Sequence, residues 1–170
     1  MANETFDISS LALNYAAWLS TITQQLIDWD YREVSGSGRF RGHDRFALLE
    51  ISISKNDNPN INHHSDQNVL VWSVDPLSFP DDFKEMGLPS LKQLATFLLY
   101  HIQAIKGERV QLRMEVKRAG FGLTDDWGRA CCRAMCRAII SCFDEHEHAV
   151  NEEYAADWFA RFEKNGSKLY

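Results

Sequence analysis

Apolar residues recur at helical spacing near the start of the chain, at Leu11, Tyr15, Trp18, Ile22, Leu26 and Trp29. This periodicity predicts a first helix, capped by Asp7 or Ser9 and running to about Tyr31. Ser35-Gly36-Ser37-Gly38 then breaks the pattern, and Arg39-Phe40-Arg41 reads as a short edge strand. From Phe46 to Ser54 the period changes to two. Ala47, Leu49, Ile51 and Ile53 share one face, with Phe46 and Leu48 on the other, so the first half of this strand is expected to be covered on both sides. A polar stretch over residues 56–67 reads as a loop. Val69 to Val74 is apolar on both faces and predicts a central strand.

A loop through Pro80 and Gly87 leads to a second helix with Pro89 in its first turn, Leu91, Leu94, Leu98, Ile102 and Ile105 as its apolar stripe, and Gly107 at its C-terminal cap. Arg109 to Lys117 alternates: Val110, Leu112, Met114 and Val116 face inward, and Gln111, Arg113, Glu115 and Lys117 outward. Gly120 and Gly122 mark a turn, and Thr124 caps a third helix that runs to about His146. A last helix is expected over Glu152 to Glu163, with Tyr154, Trp158 and Phe162 in one row. The order α-β-β-β-α-β-α-α predicts an α+β fold: a mostly antiparallel sheet of three or four strands with helices packed on one face. At 170 residues a single globular domain is the expectation.

Charge sharpens the picture. The chain carries a net charge of -6, which argues against general nucleic-acid binding. The acids and bases are segregated, however. Residues 106–137 have a local charge of +4 and residues 143–170 a local charge of -4. Within the basic stretch, Arg129, Arg133 and Arg137 are four residues apart and so share one face of a helix. Such a row is ordinarily a solvated face paired with nearby acids, here Asp125, Asp126 and Asp144. Its functional reading is a docking stripe for an acidic protein surface or a phosphate, since guanidinium binds both bidentately. Arg113 and Lys117 would widen the stripe if the outer face of the sheet lay alongside. Arg39, Arg41, His43 and Arg45 form a secondary anion patch beside a glycine-rich stretch that lacks both the Gly-Lys-Ser/Thr ending of a phosphate loop and the spacing of GxGxxG.

Catalytic chemistry is harder to find. There is no GxSxG, HExxH or CxxC motif, so the reading leans against an enzyme, with a small enzyme of dispersed site as an alternative. The four cysteines all lie between 131 and 142 on one helix. Neighbours on one helix make poor disulfide partners, so they read as packed thiols of a reducing, cytoplasmic protein. Cys132 with Cys136 and Cys142 with His146 lie too far apart along a rigid helix to share one ion, and the His63-His64 loop departs from calcium-loop spacing. No metal and no cofactor is implied. No signal peptide or membrane span is read from the chain.

The expected function is therefore a non-catalytic protein-binding module of chaperone, inhibitor, immunity or adaptor type. It would dock a partner with an acidic surface through the basic helix face, and a nucleic-acid or nucleotide-phosphate binder is the less favoured alternative. The Tyr154, Trp158 and Phe162 row is a second interface candidate and would also serve a homodimer.

Overall fold

A computed structural model describes residues 14–42, 45–57, 68–74, 81, 83–121 and 127–165. The expected Asp7 or Ser9 cap, His43, the His63-His64 loop, Gly122 and the Thr124 cap lie outside the described residues, as do the side chains of Arg45 and Phe162. Residues 14–18 are helical, a 3-10 turn follows at Leu19–Ile22, and helix α1 spans Thr23–Asp28. Then come β1 (Val34–Gly42), β2 (Arg45–Lys55) and β3 (Val69–Trp72), a single π-helical turn at Phe83–Gly87, α2 (Leu88–Lys106), β4 (Leu112–Phe121), α3 (Trp127–Phe143) and α4 (Glu145–Asn165). The fold is α+β with one four-stranded sheet in the order β1-β2-β4-β3.

The sheet is mixed. β1 and β4 each pair antiparallel with β2, but β3 pairs parallel with β4, from Val69 opposite Arg113 to Trp72 opposite Val116. The chain leaves β3, crosses through α2 and returns in β4, and a strand–helix–strand crossover of this length delivers the second strand parallel to the first. β3 is therefore an edge strand of four half-buried residues, not the central strand its two apolar faces predict. Leu70 and Trp72 pack against the core.

Helices cover both faces, which corrects the expectation of one. The residues Ala47, Leu49, Ile51 and Ile53 of β2 and Leu112, Met114 and Val116 of β4 are buried under α2, α3 and the N-terminal helical segment. On the opposite face Leu48 is fully buried against Ala155 and Phe159 of α4, with Phe46 and Trp158 beside them. The β2 strand is thus covered on both sides in its first half, as its alternation suggests. The expected helix through His146 instead stops at Phe143. The side chain of Asp144 accepts a hydrogen bond from the Glu147 backbone N–H at 2.9 Å and starts α4 there, seven residues earlier than the periodicity predicts.

The Ser35-Gly36-Ser37-Gly38 stretch is a strand interior, not a break. Its glycines allow α3 to lie almost on the backbone of β1. A Cβ on Gly36 would sit 2.5 Å from the Ala138 carbonyl oxygen and 2.6 Å from the Cys142 nitrogen, and one on Gly38 would overlap the backbone of Ala134 and Ala138 still more deeply. Small residues on the helix complete the fit: Ala130, Ala134 and Ala138 are fully buried.

The link from α1 into β1 is held from a distance. Lys106, at the end of α2, donates to the backbone carbonyls of Ile27 and Trp29 and sits 4.5 Å from the Tyr31 ring centre. Tyr31 takes a left-handed backbone conformation (φ 67°) that a bulky residue adopts only when its surroundings hold it. Its hydroxyl donates to Glu108 at 2.7 Å.

Two glycine substitutions separate close approach from backbone conformation. Gly38→Ala should cost about 3 kcal/mol or more, because a methyl group meets backbone that cannot move aside. Gly107→Ala, at φ 69° with nothing within 4 Å of its Cβ position, should cost only about 1 kcal/mol. Urea denaturation of both variants checks the contrast, and equal losses would mean that α3 does not rest on β1 this closely.

Candidate functional site

The arginines of α3 do not behave as a uniform stripe. Arg129 is exposed. Arg133 is half-buried, with its guanidinium 4.8 Å from the ring centre of Phe40 and a hydrogen bond to the Tyr15 hydroxyl. Arg137 is exposed but donates through Nη1 to the backbone carbonyl of Arg39 at 2.9 Å. One turn further along α3, the Ser141 hydroxyl accepts from the backbone N–H of Ser37 at 3.2 Å. Ser37 and Arg39 are alternate residues of β1, so Arg137 and Ser141 satisfy neighbouring backbone groups on its outer edge. The Ser37 hydroxyl in turn donates to Glu152 of α4 at 2.9 Å. The close approach at Gly36 and Gly38 brings α3 near enough for its side chains to reach round the strand.

Arg113 and Lys117 do not widen this face. They alternate with Leu112, Met114 and Val116, which lie under α3, so they project from the opposite side of the sheet. There each base has its own acid. Arg113 pairs with Glu115 at 2.9 Å, and Lys117 with Glu33 at 3.3 Å. The bond from Ser73, and then the Arg113 guanidinium, hold the Glu115 carboxyl below its ordinary range. Arg118, beside a bulge where the β2–β4 register shifts at Glu50/Ile51, pairs with Glu50 and covers the Phe159 ring at 4.3 Å.

The secondary patch and the aromatic row meet each other inside the fold. The Arg39 guanidinium lies 3.7 Å from the ring centre of Tyr154, while Arg41 is exposed. Trp158 stacks on Phe46 at 5.4 Å and meets Phe159 edge-on at 5.3 Å, and its ring fills the space over Gly120. Tyr154 and Trp158 thus dock α4 on its own sheet. None of the four cysteines forms a disulfide; Cys131, Cys132 and Cys136 are buried, and burial pushes the Cys136 and Cys142 thiols far up. Among the described residues no group of three or more His, Cys, Asp or Glu is placed to hold a metal ion. No helix among them is long and apolar enough to cross a membrane.

What the structure adds is a groove between the N-terminal helical segment and the α3–α4 junction. One hollow of about 540 Å³ is lined by Ala17, Trp18, Thr21, Arg137, Ile140 and Glu147. A second, of about 480 Å³, is lined by Gln25, Asp28, Trp29, Phe143, Glu145 and His148. Asp144 lines both, so the two hollows adjoin. Trp29 and Phe143 meet edge-on at 5.2 Å in the second hollow, and Trp18 stands 37% exposed at the first. Trp18 was expected on the buried stripe. The inward set is instead Tyr15, Leu19, Ile22, Leu26 and Trp29, and with Leu19 turned in at the 3-10 turn its neighbour must turn out. Two adjacent large apolar residues in an amphipathic segment are the only signal of this in the sequence.

Compared with known proteins, the chain matches no family model, no curated protein and no solved structure.

Two outcomes follow from these contacts. Burial raises the Tyr15 phenol from 10.0 to about 12, with the Arg133 bond acting against the rise. A proton held more tightly by the folded chain contributes stability that is fully present below pH 10.0 and is lost as pH rises toward about 12. Tyr15→Phe should therefore flatten the fall in urea midpoint across that window, and an unchanged slope would place the phenol in water. The paired variant Arg137→Ala with Ser141→Ala should expose the outer edge of β1 to strand addition. Sedimentation should then show concentration-dependent self-association absent from the parent; a monodisperse variant matching the parent would mean that the edge is blocked by other means.

Proposed function

We propose that this protein is a cytoplasmic, non-catalytic protein-binding module of chaperone, inhibitor, immunity or adaptor type, and that it docks its partner in the groove between residues 17–28 and the α3–α4 junction. The observation that carries the reading is the placement of an exposed tryptophan, Trp18, and an arginine, Arg137, on a single hollow with Ile140. Tryptophan and arginine are the residue types that dominate binding energy at protein interfaces, and they do so when they flank a cleft that a partner can fill. A single exposed apolar residue is ordinary on a folded surface; what favours this one is that Trp18 shares its hollow with Ile140 and Arg137.

This reading shifts the docking surface from the arginine row as a whole to its last member. Arg133 and Arg137 each have an intramolecular role, but Arg137 uses one of its five N–H groups on Arg39, and its side chain also lines the hollow. Four cysteines without a disulfide among them fit a reducing compartment.

The test compares the tagged parent with Trp18→Ala in affinity capture from nuclease-treated native lysate, read by mass spectrometry. The expected result is a stoichiometric protein retained by the parent and lost from the variant, both chains having the same melting temperature. Identical eluates, or no protein in either, would count against the groove as the docking surface.

A further inference from the structure

The geometry points to the chemistry of the segment that fills the groove: a basic amphipathic helix, with apolar residues on one face and Lys or Arg on its flank. This inference rests on the protein-binding reading above and commits it to one class of occupant.

Three features argue for it. The first is length. The lining residues of the N-terminal segment run from Ala17 to Asp28, eleven steps along α and 3-10 backbone, or about 17–20 Å. A helix of three to four turns spans the same distance. The second is the groove's interior, where Trp18 and Ile140 line one hollow and Trp29 and Phe143 the other. Two apolar hollows in a row receive anchors about two turns apart on one helix face, the pattern by which helices bind in grooves. The third is charge. Asp28, Asp144, Glu145 and Glu147 stand along the walls with His148, and among the described residues Arg137 is the one Lys or Arg that lines either hollow. Glu145 and Glu147 are exposed, so their charge faces an incoming segment across solvent. Arg137 donates to the Arg39 carbonyl, and Asp28, Asp144 and Glu147 accept from Gln24, the Glu147 backbone and Asn151; these bonds leave the formal charges in place. The rim is therefore acidic even though α3 carries the basic row, and a basic flank complements it whereas an acidic one is repelled.

The experiment is a selection of random 16-residue peptides displayed on phage against the folded full-length chain. Each pool is counter-selected on Trp18→Ala alone, so that groove-dependent binders survive whatever their charge; Glu145→Lys with Glu147→Lys is kept for the titrations, where binding to it should weaken. Representative binders are then synthesised and titrated by fluorescence anisotropy. The expected result is enrichment in Lys and Arg with apolar residues at i, i+3 or i+4, and i+7. Exchange of the basic residues for Glu should weaken binding at least tenfold, and binding should weaken as salt rises. Groove-dependent binders of neutral or acidic composition would overturn the basic helix and leave the protein-binding reading standing. A pool with no groove-dependent binders would overturn both. Should Trp18→Ala fail to fold, Thr21→Tyr, which adds neutral bulk at an exposed position of the same hollow, takes its place in the counter-selection.

Discussion

The near-contact of α3 with β1 is the constraint on which the remaining architecture depends. Gly36 and Gly38 remove the side-chain layer that ordinarily separates a helix from a sheet, and alanines on α3 remove its counterpart. With the helix this low, Ser141 and Arg137 reach the outer backbone of β1, so a nine-residue edge strand ends the sheet without a further strand beside it. The same descent brings the C-terminal end of α3 level with the edge. The chain can then turn at Asp144 and carry α4 across to the other face, where Leu48 and Phe46 need cover. Each of these follows from two missing side chains.

Much of this was legible in the residues, and the errors have a common origin. Alternation identified β2 and β4 and their inward residues; heptad-like spacing identified α2, with Pro89 and Gly107 at its ends. These are local patterns read against a single buried face. In β1 a flexible glycine pair and a close-packed pair look the same in one dimension; only the row of small residues at Ala130, Ala134 and Ala138, far along the chain, distinguishes them. In β3 two apolar faces do not say whether a strand is central or at an edge. Its parallel pairing was nevertheless implicit in the helix that separates it from β4.

The candidate site was less legible than the fold. Four-residue spacing placed three arginines on one helix face, but spacing says nothing of what lies opposite that face. Opposite Arg133 are Phe40 and Tyr15, and opposite Arg137 is a strand edge. Arg113 and Lys117, close to them in composition, are separated from them by the thickness of the sheet. The groove could not be read at all, since its walls come from residues more than a hundred positions apart and its exposed aromatic, Trp18, has the spacing of a core residue.

The clasp at Lys106 has a consequence for the chain as it is made. The wall of the groove that bears Trp18 and Trp29 belongs to the first thirty residues, yet the ammonium that holds its carbonyls lies 79 residues beyond Ile27 and 77 beyond Trp29. A polypeptide leaving the ribosome N-terminus first therefore presents this aromatic segment well before the residue that secures it exists. The groove's first wall is synthesised early and fastened late, and during that interval its tryptophans face whatever lies at the tunnel exit.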